Sequence, residues 1–287
     1  MQPLTCFVFL LVLLATQAST ALPLALSYSL PAGGLFESFD SIGSAGTRAP
    51  GQPNGAAWDS YWGLQLVGAT PVEQYTSLSL PSANPPIDAY NGGSAGALDR
   101  AMGLYTTATG NPARNMDARF FNATGAALSV FHLEFDVEFW LQRNVSRWAG
   151  LQAFYSPDGA TWTNLGNGFE ATLLNTTNSA GFVDGNLPAN SVRGVGGQLD
   201  LANYGLAPIP ANGTFYLRFS GSAGLTVPSG HSINQNRQVG AFLDNLWVGP
   251  TARPPAVPEA QTAALLAIGL VGLAWRGRAP ARRSARG

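Results

Sequence analysis

The stretch Phe131-His132-Leu133-Glu134-Phe135-Asp136-Val137-Glu138-Phe139 decides the fold class of this chain. Its apolar residues occupy every second position, and the residues between them are polar or acidic. Successive side chains of a β-strand point to opposite faces of a sheet, so the alternation predicts a strand with one buried face and one solvated face.

Strand signals continue on the C-terminal side of this stretch. Three more segments are apolar, aromatic or alternating, at residues 151–155, 214–219 and 241–248. The first of them is followed by Ser156-Pro157-Asp158-Gly159-Ala160 and then by the short strand-like segment 161–163, so a hairpin turn is predicted there. No long helical periodicity and no fixed-period repeat appears in the body. These features predict an all-β protein with the architecture of a β-sandwich.

Composition limits the classes of partner and chemistry. Between residues 22 and 259 the chain has 16 acidic residues and 10 Arg, a charge of about −6, and it contains no Lys. Because phosphate binding needs concentrated Lys or Arg, we predict no nucleic-acid partner. The one cysteine, Cys6, lies in the N-terminal segment, which excludes disulfides, cysteine-ligated metals and a thiol nucleophile from the body.

The N-terminus has the sequence features of a secretion signal. The run from Phe7 to Ala15 is uninterrupted and apolar, and Ser19-Thr20-Ala21 provides the small residues that signal peptidase requires. We therefore predict a signal peptide at residues 1–21. A buried N-terminal helix is the alternative.

The C-terminus combines a linker, an apolar segment and a basic end. Residues 251–258 are rich in Pro, and residues 260–275 carry no charge. As a helix, residues 260–275 would extend about 24 Å, and Trp275 could sit at the membrane interface. Five Arg follow, namely Arg276, Arg278, Arg282, Arg283 and Arg286. Since positive charge stays on the cytoplasmic side, a single transmembrane helix with the body outside is predicted.

This tail resembles a PEP-CTERM sorting signal, the bacterial C-terminal segment recognised by exosortase. Val257-Pro258-Glu259-Ala260 stands at the motif, with Ala260 where the family usually has a second Pro. The resemblance assigns residues 259–287 to the signal, with a helix at about 260–275 and an Arg-rich tail at 276–287. It implies an exosortase-type processing enzyme and a membrane as partners. The protein would be anchored at the cell envelope, extracellular after processing, or both. An ordinary C-terminal anchor helix is the alternative.

The body, residues 22–250, resembles a jelly-roll-like β-sandwich domain common in bacterial secreted proteins. The likeness is carried by short stretches such as Phe36-Glu37-Ser38-Phe39-Asp40, Val183-Asp184-Gly185-Asn186 and Phe242-Leu243-Asp244-Asn245. The resemblance implies no enzymatic activity by itself.

Two sets of carboxylates are candidates for chemistry. Glu134, Asp136 and Glu138 lie on one face of one predicted strand, about 6.5–7 Å apart. That spacing suits a glycosidase pair or a Ca²⁺ site, although alternation alone predicts a solvated sheet face. A second set lies near predicted strand ends, where a structural Ca²⁺ or turn formation would explain it: Asp40, Asp184 and Asp244. We predict no catalytic residue, no cofactor and no required metal, and structural Ca²⁺ stays open.

The body contains six Trp, most of which we expect in the core. The segment Trp58-Asp59-Ser60-Tyr61-Trp62 follows a loop rich in Gly and Pro, so Trp58, Tyr61 and Trp62 are predicted as an exposed ligand platform. The sequence thus indicates a non-enzymatic, exported protein of the cell envelope or extracellular polysaccharide matrix, and contact with carbohydrate is a hypothesis from the resemblance alone. The alternatives are a secreted carbohydrate-active hydrolase and a purely structural matrix protein.

Overall fold

The computed structural model describes residues 26–40, 62–66, 70–71, 75–77, 88–93, 98–105, 114–142, 146–176, 178, 181–232 and 240–255. The chain divides into two compact units, Met1–Arg253 and Pro254–Gly287. The predicted signal peptide and the predicted C-terminal helix lie outside the described residues. Within the described ranges, no helix is both long enough and apolar enough to span a membrane.

The described part of the chain consists of strands, turns and three short 3₁₀ segments at Asn167–Phe169, Pro188–Asn190 and Leu201–Tyr204. The strands in chain order are β1 (Tyr28–Pro31), β2 (Leu35–Glu37), β3 (Trp62–Leu66), β4 (Thr70–Pro71), β5 (Tyr75–Ser77), β6 (Asp88–Gly92), β7 (Ala101–Tyr105), β8 (Asn115–Ala123), β9 (Val130–Gln142), β10 (Trp148–Ser156), β11 (Thr163–Asn164), β12 (Glu170–Leu174), β13 (Gly181–Phe182), β14 (Ser191–Asp200), β15 (Thr214–Ser220) and β16 (Gly240–Gly249).

These strands form two sheets. The first sheet has the order β11-β10-β15-β8-β3-β4, with β1 beside β8 and β12 beside β10. The second sheet has the order β13-β9-β16-β7-β6-β5, with β14 beside β9 and β2 beside β16. The prediction of a β-rich body with sandwich-like sheets is therefore confirmed, while the jelly-roll topology stays a prediction.

The core lies between the two sheets. The apolar residues of the opening stretch, from Phe131 to Phe139, are all fully buried on one side of β9. The Phe131 ring lies 5.5 Å from that of Phe215, and Phe135 lies 5.0 Å from Phe219, so β9 of the second sheet contacts β15 of the first. Burying each such side chain contributes about 1.5–3 kcal/mol to the free energy of folding.

The predicted hairpin after β10 is confirmed, with a later start to its second strand. Strand β11 begins at Thr163 and pairs antiparallel with β10. In the turn, Asp158 Oδ1 accepts hydrogen bonds from the backbone amides of Ala160 and Thr161, both at 2.8 Å. Gly159 has φ 74°, a conformation that side-chain-bearing residues rarely adopt. Thr161 thus belongs to the turn, and β11 begins two residues later.

Candidate functional site

The polar side of β9 is solvated only in part, and the prediction of a solvated face is wrong for two of its three acidic residues. Glu138 is 0% exposed and Asp136 is 4% exposed. Only Glu134 is partly open to solvent, where its carboxylate lies 3.9 Å from the guanidinium of Arg253. Alternation correctly separated the two sides of the strand but did not reveal that the second side is covered.

Trp140 provides part of the cover. Its indole Nε1 donates a 2.8 Å hydrogen bond to Glu138 Oε2. A Cβ atom added at Gly92 or at Gly185 would lie 2.5 Å from the indole ring, so only glycine permits such close packing at these two positions. Together with Phe242 and two neighbouring apolar residues, Trp140 forms a small second core on the outer side of the second sheet.

Five carboxyl groups gather around this second core, and we call them the acidic cluster: Asp99, Asp136, Glu138, Asp184 and Asp244. Strands β9 and β16 are antiparallel neighbours, and Asp244 lies directly opposite Asp136. The pairing is irregular between Asp244 and Trp247, where Asn245 has φ 51°. This bulge allows Asp244 and Trp247 both to face away from the main core.

Asp136 has a complete set of partners. Its Oδ1 accepts a 2.7 Å hydrogen bond from the Gly194 amide, and its Oδ2 accepts one from Asn245 Nδ2 at 3.1 Å. The guanidinium of Arg193 lies 3.8 Å away. Residues of two neighbouring strands, β14 and β16, thus hold this carboxylate in place.

Glu138 and Asp244 lack such compensation. Burial raises the pKa of Glu138 to about 7, and the hydrogen bond from Trp140 offsets this only in part. Burial, followed by the charge of Glu138, raises the pKa of Asp244 to about 9. Among the described residues, Glu138 Oε1 and Asp244 Oδ1 have no hydrogen-bond donor, although both atoms are buried. The negative charge of these two buried carboxylates is therefore not balanced by hydrogen-bond donors or positive groups within the described residues.

These shifts predict how stability depends on pH when metal ions are chelated. Raised pKa values mean that the folded state binds protons more tightly than the unfolded state, so stability is greatest below about pH 4 and declines as pH rises towards about 9. From pH 5 to pH 9, wild type should lose at least about 2 kcal/mol more than the Asp244→Asn variant. Urea denaturation followed by Trp fluorescence measures this difference.

The Glu134→Gln variant is the matched control, because Glu134 lies on the same side of β9 but is partly exposed and paired with Arg253. It should keep the pH dependence of wild type. Equal pH dependence in wild type and Asp244→Asn would contradict the prediction.

The outer side of the first sheet carries a different set of groups. Half-buried side chains from three adjacent strands and the turn after β10 lie there, and we call them the aromatic face: Phe121, Phe154, Trp162, Tyr216 and Arg218. The Cζ atom of Arg218 lies 3.9 Å from the centroid of the Trp162 ring. Planar rings and a guanidinium at a half-exposed surface can contact a flat ligand by stacking and hydrogen bonding.

Arg218 is held in place by Asp117 on the neighbouring strand. Its Nε and Nη2 donate to the two carboxylate oxygens of Asp117, both at 2.7 Å. Burial raises the pKa of Asp117, and the hydrogen bonds from Arg218 oppose that rise. Such a bidentate pair fixes the plane of the guanidinium and, through it, the position of Trp162.

Of the three residues predicted as a ligand platform, the structure describes Trp62. Trp62 is 3% exposed and donates from Nε1 to the Tyr28 hydroxyl at 2.8 Å. Its ring also lies 5.6 Å from that of Phe39. The prediction of an exposed platform is therefore wrong for Trp62, while Trp58 and Tyr61 lie outside the described residues.

The C-terminal segment matches a known family model, described as the PEP-CTERM protein-sorting motif, at residues 256–279. The tail is a PEP-CTERM sorting motif. The match includes the predicted motif residues Val257, Pro258, Glu259 and Ala260 and the apolar segment that follows. A PEP-CTERM motif indicates an exported protein with a membrane-associated sorting signal that exosortase processes.

The β-rich body that precedes the PEP-CTERM motif has remote structural likenesses. The enzymatically active domain of tailspike protein 4 from bacteriophage CBA120 is 11% identical, with TM-score 0.31, and the match covers 67% of this chain and 20% of the tailspike chain. A carbohydrate-binding module, CBM28, described as specific for non-crystalline cellulose, is 9% identical with TM-score 0.33, covering 60% of this chain and 86% of its own. Isomalto-dextranase of Arthrobacter globiformis T6, complexed with panose, is 10% identical with TM-score 0.24. The match covers 77% of this chain and 35% of the dextranase chain. Likenesses this weak establish neither a shared fold nor a shared function.

No curated protein matches the chain. Within the ranges that the structure describes, no three His, Cys, Asp or Glu side chains are grouped so that they could hold a metal ion. Any cation in the acidic cluster would therefore take no more than two of its ligands from these side chains.

Proposed function

We propose that this protein is a non-enzymatic β-sandwich protein that an exosortase-type enzyme sorts to the cell envelope or to the extracellular polysaccharide matrix. The observation that carries the proposal is the PEP-CTERM motif at residues 256–279. In this proposal the signal peptide directs export, the apolar segment holds the chain in the membrane, and the five Arg behind it stay inside.

The burial of the strand carboxylates supports a non-enzymatic role. Glycoside hydrolysis needs two carboxyl groups that flank a bound sugar. Glu138 and Asp136 are both covered, and of the three candidates on β9 only Glu134 is partly exposed. The raised pKa of Glu138 resembles that of a general acid, yet this carboxyl group lies beneath Trp140, where a glycosidic bond would not reach it.

The aromatic face supports contact with polysaccharide. Sugar rings present apolar C–H faces and hydroxyl edges, which match aromatic rings and ionised hydrogen-bonding groups respectively. Tyr216 and Arg218 project from alternate positions of β15, and Trp162 lies over Arg218. This surface combines both kinds of group on a regular sheet, and we assign the glycan contact to it rather than to Trp62.

Alanine substitutions at Trp162 and Tyr216 are expected to weaken polysaccharide binding by about 30-fold each, because buried aromatic anchors contribute about 2 kcal/mol or more to an interface. A glycan array with the full-length protein in mild detergent identifies a polysaccharide, and titration of the variants gives the loss of affinity.

The Arg253→Ala variant is a matched control, because Arg253 also lies over an aromatic ring, Phe36, but next to the second sheet. It should bind as wild type does. Release of new reducing ends would contradict the non-enzymatic role and favour the hydrolase. A blank array would contradict glycan contact and favour a purely structural matrix protein.

A further inference from the structure

Two buried carboxylate oxygens lack a hydrogen-bond donor within the described residues, and they belong to neighbouring strands. Glu138 uses Oε2 to accept from Trp140, which leaves Oε1 without a donor. Asp244 uses Oδ2 to accept from Asn245 at 2.6 Å, which leaves Oδ1 without a donor. Buried ionised groups in native proteins are paired or coordinate metals, so these two oxygens require an explanation.

The two side chains are close enough to act on the same ligand. In the register of β9 and β16, Asp136 is opposite Asp244 and Phe242 is opposite Glu138, so Glu138 and Asp244 are diagonal neighbours on one side of the sheet. Diagonal neighbours lie roughly 7–8 Å apart, with their Cβ atoms somewhat closer, so one ion can be held between the two carboxyl groups. The charge of Glu138 acts directly on Asp244, as the raised pKa of Asp244 reflects.

The positive charge nearest the cluster only partly offsets its negative charge: the charge of Arg193 lowers the pKa of Glu138, but burial outweighs this effect. Arg193, which faces the cluster, lies 3.8 Å from Asp136, a carboxylate that also has two hydrogen-bond donors. The carboxylate of Asp40 interacts with the charge of Arg100. Since Asp99 and Asp184 add further negative charge, the site has the electrostatics of a cation site rather than of an anion site.

We propose that Glu138 and Asp244 bind one Ca²⁺ ion between β9 and β16. Two carboxylates completed by backbone carbonyl groups and water form the all-oxygen ligand set that Ca²⁺ accepts in flexible geometry. Zn²⁺ would need four ligands that include His or Cys, and the described residues offer no such group. Mg²⁺ demands near-ideal octahedral geometry and loses water reluctantly, so Ca²⁺ is favoured.

A site with two carboxylate side chains should be weak. Extracellular Ca²⁺ modules bind with dissociation constants of about 10⁻⁴–10⁻³ M. At 10 mM CaCl₂ and a dissociation constant of about 10⁻⁴ M, the ion should raise the Tm of the chain by about 5–10 °C at pH 8. Equal concentrations of MgCl₂ should raise it much less.

The location of the ion can be tested with Tb³⁺, which substitutes for Ca²⁺ and emits when an adjacent indole transfers energy to it. Because Trp140 donates to Glu138, an ion bound by Glu138 lies beside the Trp140 indole. Full-length protein in mild detergent should give Trp-sensitised Tb³⁺ emission that saturates at one ion per chain and that CaCl₂ displaces.

Glu138→Gln and Asp244→Asn should each lower the Ca²⁺ affinity at least tenfold, since each removes one charged ligand while keeping the shape of the side chain. Glu134→Gln, on the same side of β9, should leave the affinity unchanged. Absence of sensitised emission and of a Tm shift in wild type would overturn the proposal. Emission that both variants retain, or a Tm shift that MgCl₂ reproduces in full, would also overturn it. If either variant fails to fold, the wild-type emission and its displacement by CaCl₂ still decide the question.

Discussion

A chain that ends at Arg253 is expected to leave the membrane fraction entirely and to appear in the culture medium. Arg253 is the last residue of the compact β-rich unit, so the truncation leaves that unit whole. It removes the PEP-CTERM motif at residues 256–279 together with the apolar segment and the basic end. Without about 16 apolar residues to partition into lipid, nothing else in the sequence after the signal peptide provides a comparable anchor. Cell fractionation with immunoblotting measures the change.

Two variants of the basic end serve as matched controls. Replacing the five tail Arg by Lys keeps the positive charge, so retention in the membrane fraction should persist. Replacing them by Gln removes the charge that opposes translocation, and the full-length chain should then be lost from the membrane. Membrane retention of the truncated chain would show that the body itself binds the membrane, which would contradict this account.

The second large effect is expected in the core, where Phe215→Ala should destabilise the body by about 3–5 kcal/mol. The Phe215 ring is fully buried and lies 5.2 Å from that of Phe120, 5.5 Å from Phe131 and 6.0 Å from Tyr155. These three rings come from β8, β9 and β10, so the truncation opens a cavity where both sheets meet. Since the free energy of unfolding of a domain is only about 5–15 kcal/mol, the substitution removes a large part of it. Urea unfolding of both proteins measures the difference.

Thr214→Ala is the control for Phe215→Ala, because Thr214 is the preceding residue of β15 and is exposed. Surface substitutions of this kind usually change stability by no more than about 0.5 kcal/mol. A loss below about 1 kcal/mol for Phe215→Ala would contradict the assignment of this ring to the centre of the core.

The strands and the tail could be predicted because their signals are local. The alternation from Phe131 to Phe139 requires only neighbouring residues, and it located β9 correctly. The PEP-CTERM motif is likewise a continuous segment, and the family model confirms its position. The hairpin at Asp158 could also be predicted, because its turn is encoded by five consecutive residues, 156–160.

The covered side of β9 could not be predicted, because its cover comes from distant parts of the chain. Trp140 packs against Gly92, 48 residues before it in the sequence, and against Gly185, 45 residues after it. Alternation says that two sides differ in polarity, not which of them meets water. The sequence therefore predicted a solvated face for Glu134, Asp136 and Glu138, and it did not predict that Asp136 and Glu138 share a covered site with Asp244.

The aromatic face and the core position of Trp62 depend on tertiary contacts in the same way. Arg218 and its partner Asp117 are 101 residues apart, and only the pairing of β8 with β15 brings them together. Trp62 follows a loop rich in Gly and Pro, which favoured exposure, but Tyr28, 34 residues earlier, accepts its hydrogen bond. The alternation of residues 214–219 places Tyr216 and Arg218 on the side opposite the apolar residues. This pattern was the one local feature of the sequence that pointed to the aromatic face.

The most direct test of the account is the intact mass of the protein recovered from the outside of cells that contain an exosortase. We predict a β-rich body that has lost the N-terminal signal peptide and the Arg-rich C-terminal end, with its new C-terminus at or near the motif that begins at residue 256. Full-length protein recovered in soluble form from the cytoplasm, with both termini intact, would contradict it.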